Sequence, residues 1–127
     1  MARQFARFLL VGCANSTIGV FAILLLKWGL AFGDIAANAV GYALGLTVSF
    51  LLNRSWTFAH AGPLQSAVAR FIVSFAIAYA ANLATVLTLI ESFQVNSYAA
   101  QAIGIVPYTG LFFVLSRGFV FQQAKGA

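Results

Sequence analysis

The chain has 127 residues, of which 62% are hydrophobic and 7% charged. A soluble domain carries roughly 25% charged residues, so this composition leaves too little polar surface to face water and points to a single integral membrane domain over residues 1–127. The net charge of +5 does not make nucleic acid a partner, because the basic residues are scattered singly, without a stripe or interleaved aromatics.

Four apolar stretches of about 18–20 residues, the length that spans a hydrocarbon core, set the predicted elements. The first, Phe8–Leu26, is too long for a signal-peptide core and lacks a convincing cleavage site, so it reads as a retained helix. It contains Cys13, the one cysteine, which excludes an internal disulfide. A short loop from Lys27 to Asp34 leads to the second stretch, Ile35–Leu52, where Ala37, Gly41 and Gly45 form a smooth face for close helix approach. The following link holds Arg54-Ser55-Trp56-Thr57-Phe58 and a Gly62-Pro63 turn, with Pro63 predicted to open a short helix. Trp56 and Phe58 beside Arg54 read as interfacial anchors, with Phe119 and Phe121 as their counterparts after Arg117. The third stretch, Phe71–Ile90, offers Ala76, Ala80 and Ala84 as its small-residue face. After the loop Glu91–Asn96, the fourth, Ser97–Leu115, repeats the pattern with Ala100 and Gly104 and is predicted to kink at Pro107.

Orientation follows from the basic residues. Arg3, Arg7, Arg54, Arg70, Arg117 and Lys125 fall on one side, and only Lys27 on the other. Positive-inside bias then puts both termini of a multi-pass membrane protein in the cytoplasm.

The chain also repeats itself. Ala6-Arg7-Phe8 returns as Ala69-Arg70-Phe71, Ala36–Gly41 as Ala99–Gly104, and Phe50–Phe58 as Phe113–Phe121, all at one offset of 63 residues. Repeat 1 covers about residues 6–58 and repeat 2 about 69–121. With two helices in each, both copies enter the membrane in the same direction. The expected fold class is therefore all-α: an integral membrane four-helix bundle built from two parallel-repeat helical hairpins.

No catalytic constellation is present. The only carboxylates, Asp34 and Glu91, fall on the external side, and His60 stands alone in its loop. A glycosyltransferase or phosphatase needs positioned carboxylates, a nucleophile or metal ligands, so the reading is not an enzyme, with no metal and no cofactor. A proton-coupled multidrug exporter would need a membrane-embedded carboxylate, which the first helix lacks.

Two polar sets remain. The membrane-embedded amides Asn15, Asn38, Asn82 and Gln101 each need a partner, because an unpaired amide in hydrocarbon costs several kcal/mol. Asn38 and Gln101 are repeat equivalents, and either interhelical hydrogen bonds or a polar path for a lipid headgroup would satisfy them. The second set is arginine. Arg7 and Arg70 start the odd helices, and Arg54 and Arg117 end the even ones, so all four fall near the cytoplasmic interface. The guanidinium is a planar fork that fits phosphate oxygens. Such a ring would grip the phosphate of a lipid whose tail stays in the membrane, with Asn53 and Trp56 adding a hydrogen bond and a flat apolar face. The alternative is that these arginines only anchor helix ends and set topology.

Taken together, Arg7-Phe8-Leu9-Leu10-Val11-Gly12, Ala37-Asn38-x-x-Gly41, Phe50-x-Leu52-Asn53-Arg54-x-Trp56-Thr57-Phe58, Arg70-Phe71, Gln101-x-x-Gly104 and Arg117 with its following aromatic resemble the GtrA-like family of small four-helix membrane proteins. The resemblance covers almost the whole chain, and its most specific piece is the Asn-Arg-x-Trp-Thr-Phe run. It implies a role in cell-surface polysaccharide (for instance lipopolysaccharide) synthesis: flipping a polyprenyl-phosphate-linked sugar, such as an undecaprenyl-phosphate (bactoprenol) glucose, to the outer leaflet. Some members of the family instead anchor or assist a membrane glycosyltransferase, which is the alternative function. One departure stands out. The family pattern implies Asn just before Phe50 and Phe113, where this chain has Ser49 and Phe112. The small size also suggests a homo-oligomer, since four helices offer little interior for a groove.

Overall fold

The computed structural model describes residues 1–122, so Lys125 lies outside the described residues. The described residues are all helical in their regular structure: α1 (Ala2–Leu24), α2 (Asp34–Leu52), α3 (Leu64–Glu91) and α4 (Ser97–Leu115). Three of them run on into a π-helical turn, at Leu25–Gly29, Asn53–Thr57 and Ser116–Val120. With these turns the four helices have 28, 24, 28 and 24 residues and are long and apolar enough to cross a membrane. At a rise of about 1.5 Å per residue they measure about 36–42 Å, longer than a hydrocarbon core of about 30 Å. Their ends therefore reach the headgroup region, where arginine and tryptophan are at home.

The chain divides into two compact units, Met1–Ala61 and Gly62–Ala127. In the first, α1 and α2 pack antiparallel. A Cβ added at Gly41 would collide with Ile23 and sit 3.0 Å from the Gly19 carbonyl oxygen, and one at Gly45 would lie 3.4 Å from that of Asn15. Ala37, Gly41 and Gly45 are all buried, as their spacing predicts. This close approach replaces the hydrophobic drive that lipid cannot supply between helices. A Lys27–Asp34 ion pair of 2.7 Å spans the α1–α2 turn, but both side chains are well exposed, so it contributes little.

The second unit is built alike. Ala100 is fully buried, and a Cβ at Gly104 would come within 2.7 Å of both Asn82 Nδ2 and Val86. Asn96 caps α4 by accepting from the Tyr98 and Ala99 amides. The buried face of α3 is Ala67, Phe71, Ser74, Ala78 and Val86. The predicted face, Ala76, Ala80 and Ala84, is exposed instead. A four-residue spacing of alanines marks a smooth stripe, yet several such stripes coexist on an alanine-rich helix. The bulky Phe71 decides which one turns inward, since it packs on Phe112 with ring centroids 5.1 Å apart.

Three further expectations are corrected. Residues 53–57 belong to the helix, so the link is only residues 58–63. Pro63 caps α3, which starts at Leu64 without a separate short helix. Phe58 and Phe121 are 2% and 0% exposed, so they are plugs rather than interfacial anchors. Phe58 packs on Phe8, and Phe121 on Phe71, each pair with centroids 6.4 Å apart. Near the headgroups water is present, and each fully buried Phe then contributes roughly 1.5–3 kcal/mol. α4 passes through Pro107 as one helix.

Candidate functional site

The polar end of each hairpin is built from the second turn of its odd helix and the π turn of its even helix. In the first unit Phe8 turns inward onto Phe58, which leaves its neighbour Arg7 half-buried at the rim. The last carbonyls of a helix have no intrahelical partners and carry the negative end of its dipole. Backbone amides beyond the π turn of α2 take two of its carbonyls. The Phe58 amide donates to the Asn53 carbonyl (2.9 Å) and the His60 amide to that of Arg54 (2.8 Å). Arg7 takes another: its Nη1 donates to the Trp56 carbonyl at 3.0 Å, and its Cζ stands 5.0 Å from the centroid of the Trp56 ring.

The second unit repeats the Phe58 and Arg7 contacts with the equivalent residues. The Phe121 amide donates to the Ser116 carbonyl (2.8 Å). Arg70 Nη1 donates to the Phe119 carbonyl at 3.3 Å, and its Cζ lies 5.4 Å from the Phe119 ring centroid. Arg70 is exposed, whereas Arg7 is half-buried. Arg54 and Arg117 lie in the same two π turns, Arg54 half-buried and Arg117 exposed. Each hairpin thus brings its own pair of arginines to one end, Arg7 with Arg54 and Arg70 with Arg117. A guanidinium over an aromatic face gains electrostatically from the ring quadrupole, and Trp is the better ring.

The other predicted residues fall elsewhere. Trp56 is partly exposed and forms the flat face, under Arg7. Asn53 is only 1% exposed, so it is no surface ligand. Its Nδ2 donates to Ser49 Oγ at 3.2 Å, inside the hairpin. Ser49, which departs from the family pattern, is therefore the partner that a buried Asn53 requires. Asn38 is exposed and donates to the Asp34 carbonyl of its own helix at 2.8 Å, so it makes no interhelical bond with that donor. Gln101 is exposed too. Asn15 is half-buried and accepts from Ser16 Oγ. Asn82 sets its side-chain amide against the facing helix, at Gly104.

Sequence reasoning missed the pairing of arginine with aromatic. The two pairs, Arg7 with Trp56 and Arg70 with Phe119, are repeat equivalents, so the repeat relates them to each other but does not signal the contact. Sequence reasoning also missed the buried polar atoms. Among the described residues, Asn53 Oδ1 and the hydroxyls of Thr57, Ser74 and Ser116 are buried without a hydrogen-bond partner. No described group of three or more His, Cys, Asp or Glu residues could hold a metal ion.

A family model described as GtrA/DPMS, transmembrane domain, matches residues 7–121. The match opens on Arg7 and closes on Phe121, so it takes in both arginine ends. No curated protein matches the chain.

Proposed function

The chain belongs to the GtrA/DPMS transmembrane-domain family, and on that premise we propose that it moves a polyprenyl-phosphate-linked sugar across the bacterial cytoplasmic membrane for cell-surface polysaccharide synthesis. The observation that carries this reading is the arginine end of each hairpin, where Arg7 and Arg70 are held on Trp56 and Phe119. Arg54 and Arg117 add charge to the same turns. Such forks suit the phosphodiester of an undecaprenyl-type lipid. With both termini in the cytoplasm, these ends meet the inner leaflet, where the loaded lipid is made.

The energetics suit a passive carrier. Outward passage of one negative charge gains roughly 2.3 kcal/mol per 100 mV of cytoplasm-negative potential. Consumption of the sugar outside pulls further, so no nucleotide is required. Between 6% and 28% of each helix's apolar window is buried within the chain, so most of that surface meets lipid or another subunit. The same exposure favours a second reading, in which the chain binds the lipid without moving it and anchors a membrane glycosyltransferase.

Reconstitution separates the two. Purified protein in vesicles loaded with a polyprenyl-phosphate glucose is expected to speed exposure of the sugar to an external enzyme at least severalfold. Folded protein that binds the lipid but leaves the exposure rate at the protein-free value would favour the anchoring role.

A further inference from the structure

We propose that each hairpin carries its own phosphate seat, so that one chain holds two polyprenyl phosphates, one on Arg7 and one on Arg70. The inference rests on the lipid-phosphate reading above and adds to it a stoichiometry and a ranking of the two seats.

A guanidinium offers five N–H donors in one plane. Arg7 commits one of them, on Nη1, to the Trp56 carbonyl, while the indole meets the guanidinium without taking an N–H. The remaining donors stay available for an anion, and the group is already oriented from two directions. Arg70 repeats this arrangement on Phe119. An ordered fork meets a phosphate with less side-chain entropy left to lose, which is what separates a seat from a loose surface cation.

Helix capping alone does not account for the design. Any cation near the last carbonyls would serve the dipole, and no aromatic face is needed for that. Charge balance points the same way. Residues 1–8, 53–61, 64–71 and 115–122 contain no Asp or Glu. Asp34 opens α2 at its far end and pairs with Lys27, and Glu91 closes α3 at its far end. No Asp or Glu side chain from these stretches therefore competes with an incoming anion for Arg7 or Arg70.

The seats are unequal. Arg7 lies closer to its carbonyl and ring, 3.0 and 5.0 Å against 3.3 and 5.4 Å for Arg70, and it stands on indole rather than phenyl. It is also the less exposed of the two. The seat on Arg7 is accordingly the tighter.

The full chain in detergent, titrated with decaprenyl phosphate and followed by native mass spectrometry, is expected to bind two lipids at saturation. Arg7→Gln and Arg70→Gln are each expected to keep one, with Arg7→Gln losing the tighter, and the double variant to keep none while still melting cooperatively. If Arg7→Gln fails to fold, Trp56→Leu, which leaves the carbonyl bond in place, is expected to weaken the tighter seat about fivefold. A single lipid per chain, lost in either single variant, would overturn the two-seat inference and leave the lipid-phosphate reading standing. Two lipids retained in the double variant would also overturn it. No lipid bound by the wild-type chain would sink both. Inorganic phosphate is expected to be displaced by the lipid; if it fills the seats and resists displacement, they belong to a soluble anion and the inference fails.

Discussion

Asn53 and Ser116 occupy the same place in the two hairpins, the first residue of the π turn, yet their polar atoms are in different states. Both residues are almost fully buried. Asn53 makes one hydrogen bond through Nδ2 and leaves Oδ1 without a partner, and Ser116 leaves its hydroxyl without one. A buried polar atom without a partner costs about 1–3 kcal/mol, and a typical hydrogen bond returns about 1 kcal/mol. Opposite signs follow for truncation. Asn53→Ala removes a bond to Ser49 and opens a cavity, so it is expected to destabilise by about 1 kcal/mol or more. Ser116→Ala removes only a hydroxyl with no partner, so it is expected to be neutral or to stabilise by up to about 1 kcal/mol. Thermal unfolding of both variants in one detergent checks this. A clear loss of stability in Ser116→Ala would mean that a trapped water satisfies that hydroxyl.

Helix pairing depends on a few glycines, and they are not interchangeable. At Gly41 a methyl group would meet Ile23 and the Gly19 backbone oxygen at 3.0 Å, and backbone does not yield as a side chain does. At Gly104 the obstacles are mostly the side chains of Asn82 and Val86, and at Gly12 and Gly110 the space is open. Gly41→Ala is therefore expected to cost about 1–3 kcal/mol by overpacking, with Gly104→Ala costing less. Gly12→Ala is expected to stabilise α1 by up to about 1 kcal/mol through helix propensity. Urea or thermal melts of the three variants should fall in that order. The element scale is also where the sequence could be read best. Helix number and span follow from apolar length, and the Ala37–Gly41–Gly45 face follows from its spacing, because a stripe of small residues on a helix with bulky neighbours has one use. The face of α3 was not legible, since alanine is placed on several sides and the choice belongs to Phe71 and its partner Phe112. Of the candidate site, the sequence offered the arginines but not the geometry that holds them. Arg7 and Trp56 are 49 residues apart, and nothing local to either says that one lies on the other.

For the whole molecule, charge distribution separates a carrier from a passive anchor. The arginine ends are the only places where several cations gather among the described residues, and the membrane-spanning windows hold at most two charged residues each. On the proposed carrier reading, a lipid phosphate would cross without a fixed countercharge travelling with it. Its distribution between leaflets should then follow the membrane potential. Reconstituted vesicles given a valinomycin potential of about 100 mV, negative on the side that holds the lipid, are expected to shift the equilibrium by up to about fiftyfold toward the positive side. A neutral analogue lacking the phosphate charge is expected not to respond, and neither is protein-free membrane on the same timescale. An unchanged distribution of the charged lipid, with its exchange still accelerated by the protein, would mean that a proton or metal cation crosses with it. In that case the driving force would lie in consumption of the sugar on the far side rather than in the potential.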